Sequence, residues 1–137
     1  SDVCSSDLNV VISREREGLR IEVLDKADFS MFSSGTSRLD QQARGLIEEI
    51  ARSVAAMPNN LKVRGHTDSF GFKNTERNNW LLSAERADVT RQIMIAKGVD
   101  EKRISRIEGV ADREPFVASN AYDPRNRRIS VTLLYRD

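Results

Sequence analysis

Leu61-Lys62-Val63-Arg64-Gly65-His66-Thr67-Asp68 is the stretch on which the reading of the fold turns. Leu61, Val63 and Gly65 alternate with Lys62, Arg64 and His66, the two-residue period of a strand that lays one face on a core. The alternation ends at Thr67 and Asp68, so a carboxylate stands where the strand runs out into the loop Thr67 to Asn78. Past that loop a helix is expected from Asn79 or Trp80 to about Lys97, stopped by Gly98, which takes the left-handed conformation at low cost. Its expected buried stripe contains Leu82, Val89, Ile93 and Ala96.

Upstream, Leu39, Ala43, Leu46, Ile47, Ile50, Val54 and Met57 recur at three- and four-residue steps and predict an amphipathic helix capped by Thr36 or Ser37. Pro58 ends it, because proline disfavours helical geometry in the residue before it. Val10, Val11 and Ile12 lie in a first strand over Asn9 to Arg14, and Leu19 to Leu24 alternates as a second, with Glu17-Gly18 at the turn between them. Asp25 to Gly35 has no period and reads as a loop tethered by Phe29, Met31 and Phe32. Arg103 to Val110 and the alternating Ile129, Val131 and Leu133 supply the last two strands, and the loop Ala111 to Arg127 joins them. Two helices cannot cover both faces of such a sheet, so the expected fold is an α+β two-layer sandwich, a mixed sheet with both helices on one face.

At 137 residues the chain has the size of one domain, placed over residues 9–137; residues 1–8 read as a segment outside it, without the basic start and apolar core of a secretion signal. Lys and Arg number 22 against 21 Asp and Glu, a balance that gives no footprint for nucleic acid. Arg125, Arg127 and Arg128 beside Asp123 read as a solvated or ion-paired loop. Cys4 is the only cysteine, which excludes an intrachain disulfide, and no apolar run approaches the roughly 20 residues that span a bilayer. His66 is the only histidine, so a histidine-rich metal site is excluded, and at a strand end it reads as structural rather than as a general base. No cofactor is expected.

Three segments then fall in a meaningful order: Gly65-His66-Thr67-Asp68 closing a strand, Asn79-Trp80-Leu81-Leu82-Ser83-Ala84-Glu85-Arg86-Ala87 opening a helix, and Asn126-Arg127-Arg128 before the last strand. Together they resemble the OmpA-like peptidoglycan-binding family, over roughly Leu19 to Tyr135. Met31-Phe32-x-x-Gly35, Trp80 directly after Asn79, and Asp123-Pro124-Arg125-Asn126-Arg127-Arg128-Ile129-Ser130 resemble its MotB-like branch, the wall-anchoring part of flagellar stators. The loop Ser69 to Asn78 is longer than in shorter family members, so loop contacts are not carried over.

Asp68 and Arg86 are expected to face one cleft. A carboxylate and a guanidinium held apart suit a zwitterion, and the side-chain end of diaminopimelate in wall peptide carries an ammonium and a carboxylate on one carbon. The resemblance assigns this pairing to Asp68 and Arg86, with Asn79 and Arg127 as supporting contacts; Asn79 is read as either a ligand contact or the helix cap. Arg128 is expected on the opposite side of its strand, and Trp80 as a packing anchor rather than a sugar platform. A glycosidase needs two carboxyl groups across one bond, and an amidase a metal or nucleophile, neither of which this pattern offers, so non-catalytic binding is expected. The resemblance further implies a periplasmic domain of an inner-membrane-anchored protein, a homodimer, and a MotA-like stator subunit met through a membrane segment outside this chain. The alternative is the wall anchor of an outer-membrane protein like Pal or OmpA.

Overall fold

Glu15 closes a hairpin by donating its backbone N–H to the Gly18 carbonyl at 2.8 Å. The strands it joins, β1 (Val10–Arg14) and β2 (Gly18–Leu24), pair antiparallel with Ile12 opposite Ile21. The computed structural model describes residues 9–70 and 78–136, so the expectations for residues 1–8 and for most of the loop after Phe70 lie outside the described residues. After the hairpin come α1 (Gln41–Ala55), β3 (Leu61–His66), α2 (Asn79–Ala96), β4 (Ile104–Gly109) and β5 (Arg128–Leu134), with short 3-10 turns before each of the last two strands. The sheet order is β1-β2-β5-β3-β4, antiparallel except where β3 and β4 run parallel.

The registers stack Val23, Ile129 and Gly65 on one face, followed by Ile21, Val131 and Val63. Both helices contribute to the core on that face, α1 through Ala43, Ile47, Ala51 and Val54, α2 through Ala87, Ile93 and Met94. This is the expected two-layer α+β sandwich. The alternate residues Glu22, Lys62, His66, Arg128, Ser130 and Thr132 belong to the other face by the period of two, yet all are buried. They form a polar layer behind the sheet.

The helix ends differ from expectation in instructive ways. Asp40, not Thr36 or Ser37, caps α1, accepting from Gln42 at 3.0 Å and Ala43 at 3.3 Å. Thr36 is instead held in a turn, its N–H donating to Ser33 O at 2.9 Å. Asn78, not Asn79, caps α2 by accepting from Leu81 N–H at 2.8 Å. At the other end Gly98 has φ of 110°, and Val99 N–H reaches Met94 O at 3.1 Å, the closure that a left-handed glycine allows. Ala96 is exposed there, and Met94 takes the buried position.

Candidate ligand-binding site

Where β3 ends, the loop before α1 and the start of α2 converge on a cleft of about 430 Å³ lined by Ser30, Phe32, Ser34, Gly35, Thr67, Asp68, Phe70, Asn79, Leu82, Arg86 and Arg127. All four expected site residues, Asp68, Arg86, Asn79 and Arg127, lie on its wall.

Asp68 is nearly buried and already engaged. Its Oδ1 accepts the Phe70 N–H at 3.0 Å, and its Oδ2 accepts Arg127 Nη1 at 2.7 Å. Arg127 bridges two carboxylates, because its Nε donates to Asp25 Oδ2 at 2.8 Å. Asp25 Oδ1 in turn accepts the Met31 N–H at 2.8 Å, which fixes the loop leading to Phe32. Burial pushes the Asp25 carboxyl up, against the opposing pull of Arg127 and the Met31 N–H. Arg127 therefore has a larger role than the supporting one expected: it holds Asp68 in place. Asp25 was not among the expected site residues. The antiparallel pairing of Leu24 with Arg128 sets Asp25 opposite Arg127, a signal that exists only once β2 and β5 are known to be neighbours.

Arg86 rises from the second turn of α2 and is 5% exposed. Its Nε donates to Thr36 O at 2.8 Å and its Nη2 lies 3.5 Å from Ser33 O, while its guanidinium carbon sits 4.8 Å from the centre of the Phe32 ring. The Ser33–Thr36 turn contains Gly35 at φ 69°, a conformation that L side chains resist, and it sets both carbonyls toward the guanidinium. Phe32, expected as an apolar tether, is also a wall of the cleft. Asn79 donates its amide to Phe70 O at 3.1 Å and Asp68 O at 3.4 Å, so it ties the start of α2 to the loop after β3 and leaves the capping to Asn78. Trp80 is 51% exposed, which corrects the packing-anchor reading; Arg113 lies over its ring at 5.6 Å.

The three arginines at and just before the start of β5 pair with different carboxylates. Arg125 pairs with Asp123 at 2.9 Å, Arg127 with Asp25 and Asp68, and Arg128, on the opposite face as expected, with Glu22 at 2.5 Å. Two carboxylates and two guanidinium groups thus line or support one cleft, a balanced field suited to a ligand carrying both charges.

A family model described as the OmpA family matches residues 31–128, well over half of the sequence. The chain belongs to the OmpA family. Among relatives of this OmpA-family domain, Motility protein B of Escherichia coli (strain K12) is 33% identical over 121 residues, covering 87% of the chain and 39% of the relative. The chain therefore spans about two fifths of the length of that protein. Among solved structures, the cell wall anchor of the T6SS from Pseudomonas aeruginosa superposes with a TM-score of 0.77 at 24% identity, over 93% of this chain and 89% of the other. The periplasmic domain of Helicobacter pylori MotB gives 0.74 at 20% identity, over 88% and 85%. At those identities the structural likeness speaks to the fold.

Behind the sheet, His66 is 2% exposed, with Nε2 at 3.1 Å from Ser130 Oγ and Nδ1 buried without a partner. Burial, reinforced by Arg128, Arg64 and Arg20, pushes its imidazole from 6.5 down to about 2, so it stays neutral and is unsuited to general-base work at neutral pH. Below pH 6.5 the unfolded chain takes up a proton that the folded chain refuses. The stabilisation is complete above the unfolded pKa and is lost progressively as pH falls toward the folded one. Between pH 7 and pH 5 the loss from His66 is expected to be about 2 kcal/mol. Urea unfolding at both pH values checks this against His66→Gln, in which the extra loss should vanish; equal pH sensitivity in the two proteins would refute it.

Proposed function

We propose that this domain binds peptidoglycan without catalysis, taking the diaminopimelate residue of a stem peptide into the cleft of Asp68, Arg86, Asn79 and Arg127. In this reading it anchors a flagellar motor stator to the cell wall, as the periplasmic part of an inner-membrane-anchored protein that pairs as a homodimer and meets a MotA-like subunit in the membrane. The observation that carries it is the placement of Asp68 and Arg86, from different elements, on the wall of one cleft together with Arg127. An ionised carboxylate has about four acceptor positions, so Asp68 retains capacity for an ammonium beside Phe70 N–H and Arg127. Arg86 supplies the planar donor set that a carboxylate matches. With the Asn79 amide N–H group engaged by the loop, its side-chain oxygen is the acceptor it offers to a ligand.

The test is calorimetric titration with a diaminopimelate tripeptide and with its lysine counterpart, which keeps the ammonium and lacks the carboxylate. Binding of the diaminopimelate peptide is expected to be at least about tenfold tighter, the worth of one charge-assisted hydrogen-bonded contact. Arg86→Lys, which preserves charge and loses the fork, should bring the two peptides together. Asp68→Asn should weaken both. Equal affinity of the native protein for the two peptides would sink the proposal.

A further inference from the structure

We infer that β1 is a self-association edge: two copies of this chain pair their β1 strands antiparallel about Ile12 and close over each other's apolar groove. The inference deepens the homodimer named in the proposed function and rests on that part of it. β1 ends the described sheet. Leu24 N–H donates to Asn9 O at 2.7 Å and Glu15 N–H to Gly18 O at 2.8 Å, so by alternation Asn9, Val11, Ser13 and Glu15 direct their backbone groups at β2. The N–H and C=O groups of Val10, Ile12 and Arg14 consequently point away from the sheet, a row that no other described strand occupies.

Beside this edge lies a groove of about 280 Å³ whose apolar lining comes from Val10, Ile12, Ile21, Leu46 and Ile50, with Glu49 of α1 also on its wall. Ile12, at the middle of β1, is 56% exposed. A two-fold axis through Ile12 sets it against the partner's Ile12 and sets Val10 against the partner's Arg14. That register uses the outward backbone groups of all three residues, about six hydrogen bonds. It also sets the partner's Arg14 beside Val10, on the rim of the groove whose wall includes Glu49, opposite in charge. Glu49 and Arg14 are both exposed. A second copy offers an edge of equal length, an isoleucine at its centre and a cation for Glu49, each contributed reciprocally, the mark of an isologous contact.

Sedimentation equilibrium of the full chain, from about 5 µM to about 1 mM, reads the association directly. A concentration-dependent dimer is expected, and Ile12→Lys should weaken it at least about tenfold by placing like charges face to face. Arg14→Glu and Glu49→Arg should each weaken it, and the double exchange should restore it to within about threefold of the parent. Circular dichroism confirms that each variant is folded. A dimer untouched by these variants, or one that the double exchange fails to restore, overturns the β1 interface while leaving homodimer formation standing. A monomer throughout overturns both, and the peptide titration reports on wall binding separately.

Discussion

Arg128→Met should remove about 3–5 kcal/mol of folding stability, measured by denaturant unfolding at neutral pH, because it leaves a buried carboxylate without its counter-charge. Arg128 and Glu22 are each 4% exposed and meet at 2.5 Å. Ser130 Oγ donates to the same Glu22 oxygen at 3.0 Å, and the remaining Arg128 nitrogens donate to Asn126 O at 3.2 Å and Glu114 O at 2.8 Å. The guanidinium has left water for these contacts, and burial pulls its pKa down even beside Glu22. Removing both charges together is a different experiment. Glu22→Leu with Arg128→Met deletes the orphan as well as its partner, and exchanges of this kind are often neutral. The double variant should therefore recover most of the loss. If Arg128→Met costs less than about 1 kcal/mol, the polar layer is held by water rather than by its ion pairs.

The second large effect is expected at Gly65. A methyl group built there falls well inside contact distance of the Ser83 carbonyl oxygen, in the backbone of α2. Neither β3, locked between β4 and β5, nor the helix backbone can yield cheaply. Gly65→Ala should cost about 3 kcal/mol, the upper range for overpacking, seen as a lowered midpoint in thermal unfolding. Because α2 carries Arg86, lifting the helix should also weaken peptide binding beyond what the unfolded fraction explains. Gly45→Ala is the control: nothing lies within 4 Å of its added methyl, it sits within α1, and it should stabilise by about 0.5–1 kcal/mol. A Gly65→Ala protein as stable as its parent would show that α2 is free to shift on the sheet.

β2, β3, β5 and the core face of α1 were legible because their apolar residues follow the periods of strand and helix. α2 was less so. Its buried face includes Ser83, Arg86 and Thr90, and a stripe sought only among apolar residues drifts to Ala96, which is exposed. Ser83 is buried because its Oγ accepts the Ala111 N–H at 3.1 Å, where Ala111 turns the chain at φ 53°; no local pattern encodes that. The helix caps shifted because several Asx and hydroxyl residues compete at each start, and the chain path decides among them. Asp68, Arg86, Asn79 and Arg127, expected from the family pattern, all line one cleft. Asp25 was hidden, since its partner Arg127 is 102 positions away and the bond between them depends on strand neighbours that no window reveals.

The position of β5 also has a meaning in time. As the chain leaves a ribosome or a translocation pore, the β1-β2 hairpin and the β3-α2-β4 unit can each begin to form, yet they are not adjacent in the sheet. The strand that joins them emerges after both, and it must insert along its whole length between two edges waiting for it. Pairings so distant in sequence form slowly. Until then the two halves expose open strand edges, and Asp25 and Asp68 lie on separate pieces, because Arg127, which bridges them, arrives with β5. The cleft is thus assembled at the closing step of folding, and a chain that stops short of β5 would have neither a continuous sheet nor a site.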